Sequence, residues 1–181
     1  YDTDPIEEVL SGKANFGVAN SELALYRLQG KPVTAVAVII QHSPVVLMTL
    51  KSSGVRSPQD LIGKKVMYPM GHYGANTLGI LLKEGVETSQ FESVPLSFNI
   101  NDLIDKKVDA MVGYVTDQPC MLKQRGIAYN LIDPLNYGID FYGDTLFTTD
   151  GYVNENPEQV EKIRQVTMAG WRYAIEHTEE I

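Results

Sequence analysis

Side chains that could do chemistry are densest in the segment 137–144, which reads Tyr-Gly-Ile-Asp-Phe-Tyr-Gly-Asp. Two tyrosines, a phenylalanine and two aspartates stand among two glycines, in a pattern too irregular for a helix. Aromatic rings stack on flat ligands at low entropic cost, and carboxylates accept hydrogen bonds from ring amines. The segment therefore predicts a site for a flat, nitrogen-rich ligand. The alternative is a Gly-rich surface loop anchored by its aromatic residues.

Motifs of known enzyme classes are missing from the sequence. There is no Gly-x-Ser-x-Gly elbow, no His-Glu-x-x-His pair and no dinucleotide-binding fingerprint. Asp140 and Asp144 are four residues apart, but their segment is not helical, so this spacing does not indicate an acid–base pair. The histidines share no metal-ligand spacing, and Cys120 is the single cysteine. We predict a binding protein that is not an enzyme and uses no metal or cofactor.

Composition excludes two classes of partner. The 181 residues are 44% hydrophobic, enough for a substantial core, and the formal net charge is −8. Nucleic acid is excluded because the 15 basic residues are scattered along the chain rather than clustered. No apolar run approaches the roughly 18 residues that cross a bilayer, so we expect no direct membrane insertion of this segment.

A repeated pattern predicts the elements that position these residues. Residues 6–19 are typical of an amphipathic helix, a glycine turn and a buried strand, and residues 101–113 repeat that order about 94 residues later. A polar cluster and a second helix follow each strand, and the clusters are residues 20–22 and 116–119. We predict an α/β protein with two similar lobes. The alternative is a chance similarity between two ordinary α/β units.

The two lobes are expected to be joined near Pro44. Residues 32–41 are almost wholly apolar and rich in β-branched side chains, which is typical of a strand, and a second such run begins at Val45. Proline cannot donate a hydrogen bond to a sheet, so Pro44 marks a point where the chain passes into another sheet. We assign residues 1–43 and 153–181 to lobe 1 and residues 44–152 to lobe 2.

A second candidate binding element lies at residues 66–84. The pattern predicts a strand at 66–68, a glycine-containing loop at 69–74 and a helix from about Ala75 to Glu84. Backbone N–H groups at such a helix start bind a carbonyl, a carboxylate or one phosphate group. A nucleotide is not predicted, because the Lys and Ser/Thr of a P-loop are replaced by Ala75-Asn76-Thr77.

Several of these segments together resemble one known family. The resemblance is carried by residues 12–21, 41–44 and 108–110, by Tyr114, and most specifically by the segment 137–144. Over nearly its whole length the chain resembles the NMT1/THI5-like family of SsuA-related periplasmic substrate-binding proteins, which serve thiamine-pyrimidine synthesis and uptake. The resemblance implies a type II periplasmic-binding-protein fold, in which two α/β lobes joined by crossing strands hold a ligand in a central cleft.

The same resemblance implies a function. Known ligands in the family are aminopyrimidine precursors of thiamine, and related members bind sulfonates, riboflavin precursors or other small heterocycles. We therefore expect a periplasmic or otherwise extracytoplasmic solute-binding protein of the ABC-transporter type. Its expected partners are an aminopyrimidine-like small molecule and an ABC permease.

Two alternatives to transport stay open. One is a ligand-sensing extracytoplasmic domain fused to a membrane signalling protein, either a histidine kinase or a diguanylate cyclase. The other, a pyrimidine-synthesis enzyme, is less favoured. Eukaryotic members of the family make the pyrimidine by consuming their own histidine with iron, and they carry a cysteine-rich motif that this chain, with one cysteine, lacks.

The resemblance also carries ten ligand-binding residues onto this sequence. They follow the strands of both predicted lobes, the glycine-containing loop, and the end of the segment 137–144. They are Asn20, Ser21, Gln41, His42, Tyr73, Gly74, Tyr114, Asp117, Tyr142 and Asp144.

Two features depart from the family pattern. Family members often continue the second repeat as Tyr-x-x-x-Glu-Pro, whereas Gln118 stands in place of that glutamate here. If the glutamate pairs with a pyrimidine amino group, this chain uses Asp117 instead or binds a less basic ligand. Family members also have about one βα unit before the segment matching residues 1–5, and helices beyond His177. We therefore expect an incomplete first lobe in a fragment of a longer protein.

Overall fold

The computed structural model describes residues 3–69 and 74–180, and in these ranges strands and helices alternate along the chain. The strands are β1 Gly17–Ala19, β2 Val33–Val38, β3 Val45–Leu50, β4 Lys65–Met67, β5 Glu92–Val94, β6 Ala110–Tyr114, β7 Tyr129–Ile132 and β8 Thr145–Thr149. The α-helices are α1 Pro5–Leu10, α2 Glu22–Leu28, α3 Ala75–Lys83, α4 Ile100–Ile104, α5 Gln118–Gln124, α6 Asp150–Glu155 and α7 Pro157–Glu176. The α/β class predicted from the sequence is confirmed.

The chain forms two compact units. Unit 1 comprises Tyr1–Ser43 and Tyr142–Ile181, and unit 2 comprises Pro44–Phe141. The chain therefore passes between the units at 43/44 and at 141/142. The sequence assignment placed its second boundary at 152/153 instead. The difference arises because β8 forms its hydrogen bonds with β1 and β2, which belong to unit 1.

Unit 1 is built on a three-stranded antiparallel sheet in the order β1-β8-β2. Helix α1 begins after Asp4, whose carboxylate caps the helix by accepting a hydrogen bond from the Ile6 N–H at 2.8 Å. The strand position Gly17 admits no side chain, since a Cβ there would lie 2.5 Å from the buried ring of Phe147. The buried core of the unit is formed by Ile6, Val9, Ala19, Leu23, Tyr26, Val33 and Phe147.

Unit 2 is built on a five-stranded mixed sheet in the order β5-β4-β6-β3-β7. Strand β4 is parallel to β5 and β6, whereas β3 is antiparallel to β6 and β7. Every residue of β3 is buried, as in a strand covered on both faces. The apolar sequence of residues 32–41 predicts the same for β2, but only Val33 of β2 is fully buried. Alternate side chains of β3 enter two separate core clusters, one containing Val45 and Leu47 and the other Val46, Met48 and Leu50.

The long helix α7 contributes little to the core of unit 1. None of the residues of α7 is fully buried, and Val166 and Ile175 are 62% and 71% exposed. An open depression of about 810 Å³ lies along α6 and the first half of α7, and it contains none of the predicted binding residues. In the two described ranges, no helix combines the length and apolarity needed to cross a membrane.

Candidate functional site

Three segments of unit 1 meet at one edge of its sheet. Thr145, the first residue of β8, pairs on one side with Ala19, the last residue of β1, and on the other with Val38, the last residue of β2. Because β8 is antiparallel to both neighbours, the segments that continue from these three strand ends leave the sheet at the same edge. These segments are residues 20–22, 39–42 and 142–144. They contain six of the ten predicted binding residues.

Hydrogen bonds fix the third of these segments in place. The Gly143 N–H donates to the Ile40 carbonyl oxygen at 2.8 Å, which ties residues 142–144 to the continuation of β2. The Ser21 hydroxyl donates to the Tyr142 carbonyl oxygen at 2.7 Å instead of capping α2. The Ser21 side chain therefore has a structural role, because it holds the backbone of Tyr142 against the start of α2.

The start of α2 buries a carboxylate at this edge. Glu22 is only 4% exposed, and its Oε1 accepts a hydrogen bond from the Asn20 N–H at 3.0 Å. Burial raises the pKa of Glu22, and the negative charges of Asp4 and Asp144 raise it further. Sequence reasoning missed Glu22 as a site residue. Its signal is the acidic residue directly after Asn20 and Ser21, but acidic residues are common in the first turn of any helix.

Two further hydrogen-bond acceptors of this edge lie on residues that the sequence predicts to bind the ligand. Asp144 is half-buried, and burial raises the pKa of its carboxyl group. The Asn20 Oδ1 atom is buried and accepts no hydrogen bond within the described ranges 3–69 and 74–180. Buried amide oxygens are nearly always hydrogen-bonded in folded proteins, so Asn20 Oδ1 is an acceptor without its donor.

The remaining predicted residues of unit 1 are exposed at the same edge. Gln41 and His42 lie in the segment after β2, and both are exposed. The Tyr142 side chain is 57% exposed, so its ring is available for stacking. The edge thus combines one exposed aromatic ring with buried and half-buried hydrogen-bond acceptors.

The segment 137–144 is divided between the two units. Tyr137 ends a 3₁₀-helix, Pro134–Tyr137, and packs against the core of unit 2, where burial raises the pKa of its hydroxyl. Ile139 and Phe141 lie beside Gly79 of α3, 3.5 Å and 3.6 Å from the position of a Cβ there. The first part of the segment is therefore anchored by packing, as expected for the alternative of a surface loop held by its aromatic residues. Only residues 142–144 belong to the edge of unit 1.

The end of β6 in unit 2 carries a closed network of hydrogen bonds. The buried Gln118 accepts a hydrogen bond from the Tyr114 N–H at 2.8 Å through Oε1 and donates to Asp117 Oδ2 at 2.6 Å through Nε2. A Cβ on Gly113 would lie 2.6 Å from Gln118 Oε1, so a larger residue there would displace the Gln118 side chain from this network. The Asp117 side chain is exposed but already accepts a hydrogen bond from Gln118.

The start of α3 lies near the end of the neighbouring strand β4. A Cβ on Gly74 would clash with the Pro69 carbonyl oxygen, so only glycine fits at this position. Strands β4 and β6 are parallel neighbours, which brings the residues after β4 and Tyr114 to the same edge of the unit 2 sheet. The predicted contact Tyr73 lies outside the described residues.

The predicted binding residues thus form one group in each unit, and no metal site accompanies them in the described ranges. The unit 1 group contains Asn20, Ser21, Gln41, His42, Tyr142 and Asp144, joined by Glu22. The unit 2 group contains Gly74, Tyr114 and Asp117. Among the described residues, no three His, Cys, Asp or Glu side chains cluster in a way that could hold a metal ion.

Comparison with known proteins matches this chain to one family along its whole length. A family model described as NMT1/THI5 like matches residues 1–181. The 4-amino-5-hydroxymethyl-2-methylpyrimidine phosphate synthase of Legionella pneumophila is 29% identical over 184 residues, which cover 98% of this chain and 58% of that protein. The formylaminopyrimidine-binding protein of Halalkalibacterium halodurans is 27% identical over 187 residues, with coverages of 98% and 56%. The chain spans little more than half the length of either relative.

A solved structure shows the same fold. The periplasmic aliphatic sulphonate binding protein SsuA from Escherichia coli superimposes with a TM-score of 0.79 at 15% identity, over 97% of this chain and 61% of that one. At this level of identity the similarity concerns the fold alone. The prediction of a periplasmic-binding-protein fold is confirmed.

Proposed function

Because the chain belongs to the NMT1/THI5-like family, we propose that it is a solute-binding protein of the ABC-transporter type. We propose as its ligand a small amino-bearing heterocycle, either a thiamine-pyrimidine precursor or a close analogue. A relative named as a formylaminopyrimidine-binding protein supports this class of ligand. An ABC permease as partner and an extracytoplasmic location belong to the same proposal, and similarity to a periplasmic binding protein supports both.

One observation carries the proposal. At the edge of the unit 1 sheet, the exposed ring of Tyr142 stands two residues from the half-buried carboxylate of Asp144, and both leave the sheet beside Asn20. A ring that can stack and acceptors that can take hydrogen bonds are the groups that a flat heterocycle with amino substituents requires. The unit 2 group, with Gly74, Tyr114 and Asp117, is proposed to contribute to ligand binding as well.

Titration calorimetry with formylaminopyrimidine tests the proposal. Tyr142→Ala removes a stacking surface and Asp144→Asn removes a charge-assisted hydrogen bond, so each is expected to weaken binding by about 1–3 kcal/mol. Tyr173→Ala and Asp105→Asn serve as matched controls, because these residues are exposed and lie on α7 and at the end of α4. Both controls should bind like the parent protein.

The results test the assignment of the site residues and the assignment of the ligand separately. Unchanged affinity in both Tyr142→Ala and Asp144→Asn would remove these residues from the site. Absence of binding by the parent protein to formylaminopyrimidine and to 4-amino-5-hydroxymethyl-2-methylpyrimidine would remove the pyrimidine assignment. Variants at Tyr114 and Asp117, measured in the same way, report on the unit 2 group independently.

A synthase is the second candidate, and the name of the Legionella pneumophila relative favours it. The family resemblance implies that such an activity consumes a histidine of the protein itself. Incubation with iron and pyridoxal phosphate, followed by mass spectrometry of His42, His72 and His177, tests it. Intact imidazoles after incubation exclude the synthase, whereas loss of one imidazole together with release of a pyrimidine would replace the binding-protein proposal.

A further inference from the structure

The carboxylate of Glu22 is buried without a cationic partner. It accepts one hydrogen bond from another residue, the Asn20 N–H, and no Lys or Arg of the described ranges forms an ion pair with it. Burying an ionised carboxylate costs free energy unless it is paired and fully hydrogen-bonded. The folded protein therefore keeps an incompletely compensated acceptor at the edge of the unit 1 sheet.

A second observation at the same place is independent of any charge. Asn20 Oδ1 is buried and has no hydrogen-bond donor in the part of the chain that the structure describes. Its residue is adjacent to the Glu22 carboxylate, since the Asn20 N–H lies 3.0 Å from Glu22 Oε1. A buried amide oxygen without a donor costs free energy, and a donor supplied by a ligand would recover that cost.

The other charged groups near Glu22 are also negative, but they differ in their partners. Asp4 accepts hydrogen bonds from the Ile6 N–H at 2.8 Å and from the Tyr26 hydroxyl at 2.9 Å, so it serves the core of unit 1. Asp144 forms no ion pair with any residue of the ranges 3–69 and 74–180, and burial raises the pKa of both Asp144 and Glu22. Glu22 and Asp144 are thus carboxylates of this edge that form no ion pair with a described Lys or Arg.

At the equivalent edge of unit 2, the buried polar side chain is hydrogen-bonded within the protein. Gln118 stands where the family pattern has a glutamate, and both ends of its amide are engaged by Tyr114 and Asp117. Gln118 therefore offers a ligand amino group no carboxylate, and Asp117, which already accepts one hydrogen bond from Gln118, is an exposed carboxylate of that edge.

We propose that the acceptor oxygens of Glu22, Asp144 and Asn20 form a subsite that binds an amino or amidinium group of the ligand and discriminates against anionic ligands. The proposal rests on the proposed function, because it names the part of that site that selects the ligand. Sulfonates and carboxylates are disfavoured because their negative charge would lie beside the carboxyl groups of Glu22 and Asp144.

A matched pair of probes measures this selection directly. 4-Amino-2-methylpyrimidine and 2,4-dimethylpyrimidine have nearly the same shape and differ by one amino group in place of a methyl group. The parent protein is expected to bind the amino compound at least about tenfold more tightly, the equivalent of one good hydrogen bond to a charged group. Glu22→Gln should reduce this preference at least about fivefold without weakening the binding of the dimethyl compound.

A control variant and an anionic probe complete the experiment. Glu176→Gln removes one negative charge from an exposed residue at the end of α7, so it should leave the preference unchanged. Ethanesulfonate is expected to bind the parent protein more weakly than the amino compound does. An unchanged preference in Glu22→Gln, or equal affinity for ethanesulfonate and the amino compound, would overturn the subsite.

Failure of the subsite and failure of the proposed function give different results. A preference for the amino probe that is lost in Glu22→Gln, without any binding of formylaminopyrimidine, keeps the subsite and rejects the pyrimidine-precursor function. Should neither probe bind measurably, ¹³C NMR of the Glu22 and Asp144 carboxyl groups decides. Resonances that do not move with 4-amino-2-methylpyrimidine at its highest soluble concentration reject the subsite.

Discussion

The residues after β1 in unit 1 and after β6 in unit 2 occupy equivalent places in the repeated pattern, but their polar groups are satisfied differently. In unit 2, the Gln118 amide accepts one hydrogen bond and donates another, so the turn after β6 is closed by its own side chains. In unit 1, Asn20 Oδ1 has no donor among the described residues, and the buried Glu22 is paired with no cation there.

This difference separates structural roles from binding roles within one sequence pattern. A polar group that is satisfied within the protein stabilises the fold, and removing it lowers stability. A buried polar group that is left unsatisfied lowers the stability of the empty protein, and a ligand can compensate it. Mutations in the unit 2 turn should therefore lower the stability of the protein, whereas mutations at the unit 1 edge should mainly lower its affinity for the ligand.

The largest effect on stability is expected for Gln118→Ala. The substitution removes both hydrogen bonds of a buried amide and leaves a small cavity, so the free energy of unfolding should fall by about 2–3 kcal/mol. Urea denaturation followed by circular dichroism measures it. Gln124→Ala, at an exposed position of the same helix, should stay within about 0.5 kcal/mol of the parent. Similar losses in both variants would contradict the structural role of Gln118.

Gln118→Glu restores the carboxylate of the family pattern and is expected to be the next most damaging change. It replaces the Nε2 donor, which lies 2.6 Å from Asp117 Oδ2, by a second acceptor, so two carboxylates face each other. Their repulsion should lower stability at pH 7 by about 1–2 kcal/mol relative to the parent. The repulsion raises the pKa of the pair, so the deficit should shrink as the pH falls and one proton is shared. A deficit independent of pH would exclude this explanation.

Glu22→Gln is expected to raise the stability of the protein, rather than lower it, in the absence of ligand. Burial raises the pKa of Glu22 in the folded protein, so folding favours the neutral form and ionisation lowers stability as the pH rises through the folded-state pKa. The variant should therefore have a higher melting temperature than the parent at pH 7. The gain should disappear below the unfolded-state pKa of about 4.3, where both states of the parent are protonated. A loss of stability at pH 7 would show that Glu22 has a compensating partner in the folded protein.

The smallest change in stability is expected for Asn20→Ala. Removal of the unsatisfied Oδ1 atom relieves its desolvation cost, whereas truncation of the side chain loses packing, so the two opposing effects should leave the free energy of unfolding within about 0.5 kcal/mol of the parent. Chemical denaturation alongside Gln118→Ala provides the direct comparison. A loss above about 1 kcal/mol would mean that the Asn20 amide supports the fold and would weaken the contrast between the two edges.

Helices and strands are predicted well from the sequence where short-range residue patterns determine where they begin and end. The apolar run interrupted at Pro44 became β2 and β3, because a proline without an N–H cannot continue a sheet. The helix predicted from Ala75 to about Glu84 is α3, Ala75–Lys83, since its start follows Gly74 and its last turn is followed by Gly85.

The candidate site was less predictable because it depends on contacts between distant residues. Aromatic residues, aspartates and glycines occur throughout the segment 137–144, so nothing in its composition marks a boundary. The pairing of β8 with β1 and β2 nevertheless assigns only its last three residues to unit 1. Glu22 looks like an ordinary acidic residue in the first turn of a helix, and only the packing of α2 buries it. The sequence also cannot show that Gln118 is held by Tyr114, because that hydrogen bond requires the turn at 115–117 to fold first.

The position of β8 between β1 and β2 has a consequence for how the chain folds. Unit 2 is one continuous stretch, so its contacts can form as soon as residues 44–141 are present. The sheet of unit 1 lacks its middle strand until Thr145–Thr149 has been made, and closing that long loop costs conformational entropy. During synthesis from the N-terminus, β1 and β2 therefore have no strand between them while unit 2 folds. The edge that carries Asn20 and Glu22 is accordingly expected to assemble among the last steps.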